Sequence, residues 1–196
     1  MLPRKRIILP LDISDIDVAI SLVEKLAPHV GYFKLGFEAI YSTMANFLLL
    51  PDKEIVSYLW KVRQLAEKIA SRRAFLDVKL NDIPNTIEKA VKAIIRLRPI
   101  MFNIHASAGK EAIARAVANK GESVLFGVTV LTSIDEDECV SIFGAKPNGK
   151  VFEFAEMLVD GGANGVICAP KEGLFLRKTP CLKLKQWLVP LSALLQ

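Results

Sequence analysis

The regular alternation of short apolar runs with longer amphipathic stretches constrains the fold of this 196-residue chain more than any other feature. Six runs have the length and the branched or aromatic content of β-strands. They are Arg6–Leu11, Tyr32–Gly36, Ala74–Lys79, Met101–His105, Val124–Val130 and Gly165–Cys168. Most are apolar throughout, as expected of parallel strands that helices cover on one face. Because the composition does not change along the chain, the alternation predicts a single α/β domain over residues 1–196.

The stretches between the strands have helical periodicity, with branched side chains on one stripe. Four such stretches are Ile16–Leu26, Ile87–Leu97, Glu111–Ala118 and Phe152–Val159. The connection 37–73 is long for a single crossover, and Pro51-Asp52 within it combines a helix break with a helix start. We expect an extended two-helix connection there, roughly Glu38–Leu50 followed by Lys53–Ser71.

Charged or polar side chains stand at or near the C-terminal ends of the predicted strands. They are Asp12, Lys34, Asp77, Lys79 and His105. No glycine-rich phosphate loop follows the first strand, because Leu11-Asp12-Ile13-Ser14 matches neither a dinucleotide fingerprint nor a P-loop. In a (β/α)8 barrel the carboxyl ends of the strands form the rim where active sites lie. A lone histidine such as His105 is more often a structural hydrogen-bonding group than a catalyst.

The third predicted strand carries the most informative polar group. Asp77 and Lys79 are two residues apart, so a regular strand points both side chains the same way, and Asp82 can fold back near them. Such a trio is more often a solvated rim than a site. The functional interpretation gains from the apolar strand around it and from Asp12 and Lys34 on the preceding strands. Alternating acids and lysines keep each other ionised where an isolated charge would be neutralised.

The string Asp77-Val78-Lys79-Leu80-Asn81-Asp82, extended by Ile83-Pro84-Asn85-Thr86, resembles the signature of the orotidine 5'-monophosphate decarboxylases. Further matches to that family follow in the same order along the chain. They are Leu11-Asp12, Phe33-Lys34-Leu35-Gly36, Asn103-Ile104-His105-Ala106, the fifth-strand motif Val128–Ser133, and Gly165–Pro170. The resemblance covers about Arg6 to Arg177 and implies a (β/α)8 TIM barrel, with about six of its eight strands recognisable in this chain.

The resemblance also implies an activity, the conversion of orotidylate to UMP and CO2 in pyrimidine biosynthesis, without cofactor or metal. It makes Lys79 the proton donor and sets Asp77 beside the departing carboxylate. Lys34 would hold Asp77 in place and contact the ribose. Asp82 would be contributed to the neighbouring subunit's site, which implies a homodimer.

The remaining matches imply substrate contacts. Asp12 and Thr86 would bind ribose hydroxyls, and Thr86 would also reach across the dimer. Ser133 would bind the pyrimidine edge, with Thr132 beside it in the fifth-strand motif. Ile83 would line the substrate site from the I-P-N-T extension.

The tail 178–196 departs from the family pattern. The family continues with a seventh strand, a phosphate-gripping loop and an eighth strand with an arginine, and the tail matches none of these. We expect it to replace the last two strands, as out-of-frame or otherwise truncated coding sequence. Two alternatives therefore stay open: a catalytically silent truncated member or nucleotide-binding partner, and a metal-dependent sugar-phosphate lyase of the same superfamily. The strings Ile83–Thr86 and Leu131–Ser133 argue against the lyase.

Composition narrows the choice of partner and compartment only a little. The net charge of +5 suits an anionic partner such as a nucleotide, but the basic residues are spread along the chain and no nucleic-acid motif accompanies them. The three cysteines form no close pair, which favours a reducing cytoplasm. No stretch approaches the roughly 20 apolar residues that a membrane span needs. The two histidines are far apart, so no protein metal site is expected.

Overall fold

The computed structural model describes residues 6–69, 73–178 and the backbone of 186–188. The chain divides into two compact units, and strand β3 runs from the first into the second. The first unit comprises the residues up to Val78 together with Leu97–Met101. The second comprises Lys79–Arg96 and the residues from Phe102 onward. The expected single domain over 1–196 stays a prediction.

The first unit contains three parallel strands and three helices. They are β1 (Ile8–Pro10), α1 (Ile16–Leu26), β2 (Tyr32–Leu35), α2 (Phe37–Leu49), α3 (Asp52–Ile69) and the first part of β3 (Ala74–Leu80). The strands pair in chain order, with Ile8 opposite Tyr32 and Phe33 opposite Ala74. The strand and helix assignments agree closely with the sequence prediction, including the break between α2 and α3. Ser71, where the second of these helices was expected to end, lies outside the described residues.

Arg73 fastens the turn that follows α1. Its Nη2 donates to the carbonyl oxygens of Ala27 and Val30 at 3.0 and 2.7 Å, and its Nε donates to that of Gly31 at 3.1 Å. The guanidinium also lies over the ring of Phe33, 5.2 Å from its centroid. Phe33 and Val30 are buried in the apolar core of this unit. One side chain therefore satisfies three backbone acceptors and closes the core at the end of α1.

The second unit contains the rest of the helices and strands. They are α4 (Pro84–Ile94), β4 (Met101–His105, entering from the first unit), α5 (Lys110–Asn119), β5 (Val124–Val128), α6 (Glu136–Phe143), α7 (Pro147–Asp160), β6 (Gly165–Ile167), α8 (Pro170–Arg177) and β7 (Gln186–Leu188). The strands β5, β6 and β7 are parallel neighbours in that order. The sequence did not predict α6, α8 or β7. The strand β7 falls within the tail 178–196, most of which lies outside the described residues.

Close packing of α7 on β5 depends on a glycine. Gly127 is buried in β5, and a Cβ built at this position would lie 2.1 Å from Cδ2 of Leu158 on α7. Leu158 is itself fully buried, as is Leu125 in the same strand. Any side chain at position 127 would therefore have to displace the buried side chain of Leu158.

Within the described residues, none of the helices combines the length and the apolar character that crossing a membrane would require.

We expect Arg73→Ala to lower the free energy of unfolding by about 2 kcal/mol, because three carbonyls lose a charged donor. Urea denaturation measures the change. The control is Arg63→Ala, which removes only an exposed pair with Glu67 on α3 and should change stability by less than about 0.5 kcal/mol. Equal effects of the two substitutions would contradict the role assigned to Arg73.

We expect Gly127→Ala to destabilise the protein by about 1–3 kcal/mol, because the new methyl group overlaps Leu158. Gly149→Ala is the matched control, since Gly149 is exposed on α7 and a Cβ there meets nothing within 4 Å. That control should be neutral or stabilising by up to about 1 kcal/mol. Thermal unfolding of both variants measures the difference, and a neutral Gly127→Ala would show that α7 is not fixed by this contact.

Candidate active site

A lysine bridges two carboxylates in the first unit. The Nζ of Lys34 lies 3.1 Å from Oδ1 and 3.2 Å from Oδ2 of Asp12, and 3.1 Å from Oδ2 of Asp77. The side chain of Asp77 is only 10% exposed, that of Lys34 22% and that of Asp12 48%. A buried carboxylate is stable in its charged form only with a close counter-charge. Lys34 provides that charge to Asp77.

The parallel register brings these three side chains to the same edge of the strands. Lys34 in β2 stands opposite Pro10 of β1 and Phe75 of β3. Asp12 follows β1 by two residues, and Asp77 lies two residues beyond Phe75. The Leu11 N–H donates to the carbonyl oxygen of Lys34 at 2.8 Å and extends the β1–β2 pairing to the residue before Asp12. The ion pairs therefore follow from strand pairing.

Gly36 leaves room for this group. A Cβ built at position 36 would lie 2.9 Å from Oδ1 of Asp12 and 3.2 Å from Nζ of Lys34. Any side chain there would push on the carboxylate and the ammonium together. The glycine is the last residue of the Phe33–Gly36 family motif, but the sequence did not indicate this steric role.

Lys79 in the second unit has an unusual backbone conformation. Its φ is 42°, in the left-handed region that residues other than glycine rarely adopt. Such a conformation costs about 1–3 kcal/mol and is found most often at functional sites. Among the described non-glycine residues, only Arg98 shares a positive φ. The expectation that Asp77 and Lys79 point the same way assumed an extended backbone at both residues, and the positive φ at Lys79 removes that basis.

The side chain of Asn103 accepts the backbone hydrogen bond of this strained residue. The N–H of Lys79 donates to Oδ1 of Asn103 at 2.7 Å. Asn103 lies in the middle of β4 and is 0% exposed. The sequence motif Asn103–Ala106 contained this residue without giving it a role. A polar side chain within an otherwise apolar strand was the signal that could have found it.

Three further predicted residues lie at the start of α4. Asp82 precedes the helix, and its Oδ1 accepts from the N–H of Ile83 at 2.7 Å. Asp82 and Thr86 are exposed, and the apolar side chain of Ile83 is 65% exposed. Pro84 stands in the first turn of the helix, as the sequence predicted. These side chains are accessible to a partner or a ligand.

The two predicted pyrimidine contacts lie in the connection between β5 and α6. Thr132 and Ser133 are exposed and sit in a turn closed by the N–H of Ile134 donating to the carbonyl oxygen of Leu131 at 3.0 Å. The ion pairs bring together Asp12, Lys34 and Asp77. Thr132 and Ser133 belong to the second unit.

The two cysteines among the described residues have thiols that stay protonated at neutral pH. Burial, aided by the nearby Glu172 carboxylate, raises the pKa of the Cys168 thiol to about 12. Desolvation also raises the pKa of Cys139. Because the thiolate is the reactive form, neither residue suits nucleophilic catalysis. Within the described ranges, no group of three or more His, Cys, Asp or Glu side chains could hold a metal ion.

Known proteins resemble this chain over most of its length. Residues 5–191 match the model of the orotidine 5'-phosphate decarboxylase / HUMPS family, so the match continues beyond Arg177. The orotidine 5'-phosphate decarboxylase of Syntrophomonas wolfei is 34% identical over 184 residues, which are 88% of this chain and 70% of that protein. The enzyme of the same name from Carboxydothermus hydrogenoformans is 33% identical over 177 residues, 86% of this chain and 67% of that protein.

Solved structures give the same result for the fold. The orotidine 5'-phosphate decarboxylase of Lactobacillus acidophilus superposes with a TM-score of 0.69 at 27% identity, covering 88% of this chain and 75% of that one. That of Thermotoga maritima superposes with a TM-score of 0.64 at 22% identity, covering 93% and 77%, and shows the fold alone. The predicted α/β class with TIM-barrel architecture is confirmed. The chain is shorter than these relatives, and it belongs to the orotidine 5'-phosphate decarboxylase / HUMPS family.

Proposed function

We propose that this chain is an orotidine 5'-phosphate decarboxylase that converts orotidylate to UMP and CO2. The observation that carries the proposal is the ion pair between the buried Asp77 carboxylate and Lys34. Asp77 is the first residue of the motif that runs to Asp82. Relatives that bear this name are 32–34% identical to the chain. The product is a pyrimidine nucleotide, which gives the chain its place in pyrimidine biosynthesis.

The reaction makes a specific electrostatic demand on the chain. Loss of CO2 from C6 of the pyrimidine leaves an electron pair on that carbon, which must be stabilised and then protonated. Lys79 is the proposed acid, because an ammonium group both attracts the developing anion and supplies the proton. Asp77 is proposed to stand beside the carboxylate that leaves. This chemistry needs no cofactor and no metal.

Lys34 has a positioning role in this proposal as well as a binding role. Its ammonium group is shared by Asp12 and Asp77, so it positions both carboxylates and gives the buried one a counter-charge. Asp12 is half exposed and remains able to accept hydrogen bonds from the ribose hydroxyls. The positive φ of Lys79 supports the proposal independently, because strained residues cluster where a side chain must be aimed.

The exposed residues are proposed to complete substrate binding in a homodimer. Asp82 and Thr86 would be contributed to the neighbouring subunit's site, with the exposed Ile83 between them. Ser133, with Thr132, would bind the pyrimidine edge. Their exposure in this single chain supports a partner or substrate contact. Because the substrate is a soluble nucleotide, we place the reaction in the cytoplasm, with no nucleic-acid or membrane partner.

We expect the purified chain to consume orotidylate, which is measured as a decrease in orotidylate absorbance. Lys79→Ala should lower kcat by about 100- to 10,000-fold, the range for removal of a general acid. Lys89→Ala is the matched control, since Lys89 is an exposed lysine on α4. It should retain full turnover. A folded wild-type chain that binds UMP without turnover would overturn the proposal and identify a catalytically silent nucleotide-binding member.

We expect Gly36→Ala to lower kcat/KM by about 10- to 100-fold, because the methyl group displaces the Asp12 carboxylate and the Lys34 ammonium by a fraction of an ångström. The exposed Gly149→Ala serves again as the control that adds a methyl group without a contact. Steady-state kinetics on both variants measure the change. Unaltered kinetics in Gly36→Ala would mean that the side chains of Asp12 and Lys34 can be displaced without effect and do not contact the substrate.

A further inference from the structure

We infer that Asn103 is a positioning residue, which holds the backbone of Lys79 in its left-handed conformation and thereby aims the Lys79 ammonium group. The catalytic consequence of this inference rests on the proposed function. Its structural part, the dependence of the Lys79 backbone on Asn103, does not.

The burial of Asn103 is the first observation. The residue lies between Phe102 and Ile104 on β4, and all three are fully buried. A buried amide is unfavourable unless it forms hydrogen bonds, so a polar side chain at this place needs a hydrogen-bond partner. The Oδ1 atom has one, the N–H of Lys79 at 2.7 Å.

The second observation is where that hydrogen bond comes from. In a parallel sheet a strand N–H normally donates to a backbone carbonyl of the next strand. The Lys79 N–H donates to a side chain, although Lys79 belongs to β3. The residue with this side-chain hydrogen bond is the same residue that has a φ of 42°. The hydrogen bond fixes the peptide plane that precedes Cα of Lys79. Relative to that plane, φ sets the direction of the Cα–Cβ bond and so the direction of the whole lysine side chain.

Arg98 provides a contrast. It is the other described non-glycine residue with a positive φ, but it is exposed and lies in the short connection before β4. A tight connection by itself accounts for a left-handed residue at that place. Lys79 is the second-to-last residue of β3, just before the connection to α4 begins. A buried side chain, that of Asn103, is bonded to its backbone N–H.

Crystal structures of the full chain test the structural part. We expect a positive φ at residue 79 in the wild type and in Asn103→Asp, which keeps an oxygen acceptor at the same place. We expect an extended φ in Asn103→Leu, which fills the space without an acceptor. Asn103→Ala replaces the leucine variant if that one does not fold. A positive φ at residue 79 in a variant without the acceptor would overturn the inference.

Kinetics with orotidylate test the catalytic part. We expect Asn103→Leu or Asn103→Ala to lower kcat by about 10- to 100-fold, the effect of misplacing a reacting group by about 1 Å. KM should change by less than about threefold, and Asn103→Asp should recover most of the lost kcat. A purely structural role would lower stability and leave kcat unchanged, and that result would also overturn the inference.

Asn164→Leu is the matched control. Asn164 has the same chemistry, because its Oδ1 accepts from the N–H of Leu125 at 2.9 Å in the same unit. Its loss should lower stability while the φ of residue 79 and kcat stay at their wild-type values. A wild-type chain that does not decarboxylate orotidylate would refute the proposed function, and the crystal structures would still decide whether Asn103 sets the Lys79 backbone.

Discussion

The contact of Lys34 with Asp12 and Asp77 is the interaction around which the candidate site of the first unit is built. A carboxylate as buried as that of Asp77 would be neutralised or excluded without a counter-charge. The lysine that supplies the charge comes from the neighbouring strand, so the site exists only when β2 and β3 are paired in register. The second carboxylate, that of Asp12, also contacts the lysine, and the absence of a side chain at Gly36 leaves room for both groups. The charged group therefore depends on the pairing of these strands.

The second unit concentrates its strain at Lys79. A left-handed residue inside a strand and a fully buried asparagine are each unfavourable alone, and the hydrogen bond between them makes both acceptable. Tight apolar packing elsewhere in the unit, such as that of Leu158 on Gly127, offsets the free-energy cost of this strained conformation. A rigid framework around a strained residue is what the proposed reaction requires, because its charges must be held in fixed positions.

The elements that the sequence predicted well are those with a strong local signal. The bounds of α1 agree residue for residue with the prediction, because one apolar stripe and the capping Asp15 define it. The break between α2 and α3 falls at Pro51, where proline ends a helix. In contrast, α6 and α8 are eight-residue helices without a clear apolar stripe. Their helical state depends on packing that periodicity does not reveal.

By itself, the sequence determined the parallel α/β class, the family and the candidate residues Asp12, Lys34, Asp77 and Lys79, since strand periodicity and ordered motifs are local properties of the chain. Only the tertiary structure decided which of these residues touch and how Lys79 is held. The Lys79 hydrogen bond joins residues 24 apart, and the Lys34–Asp12 contact joins residues 22 apart. Local propensity favours an extended backbone at a strand lysine, and a long-range hydrogen bond to Asn103 outweighs it.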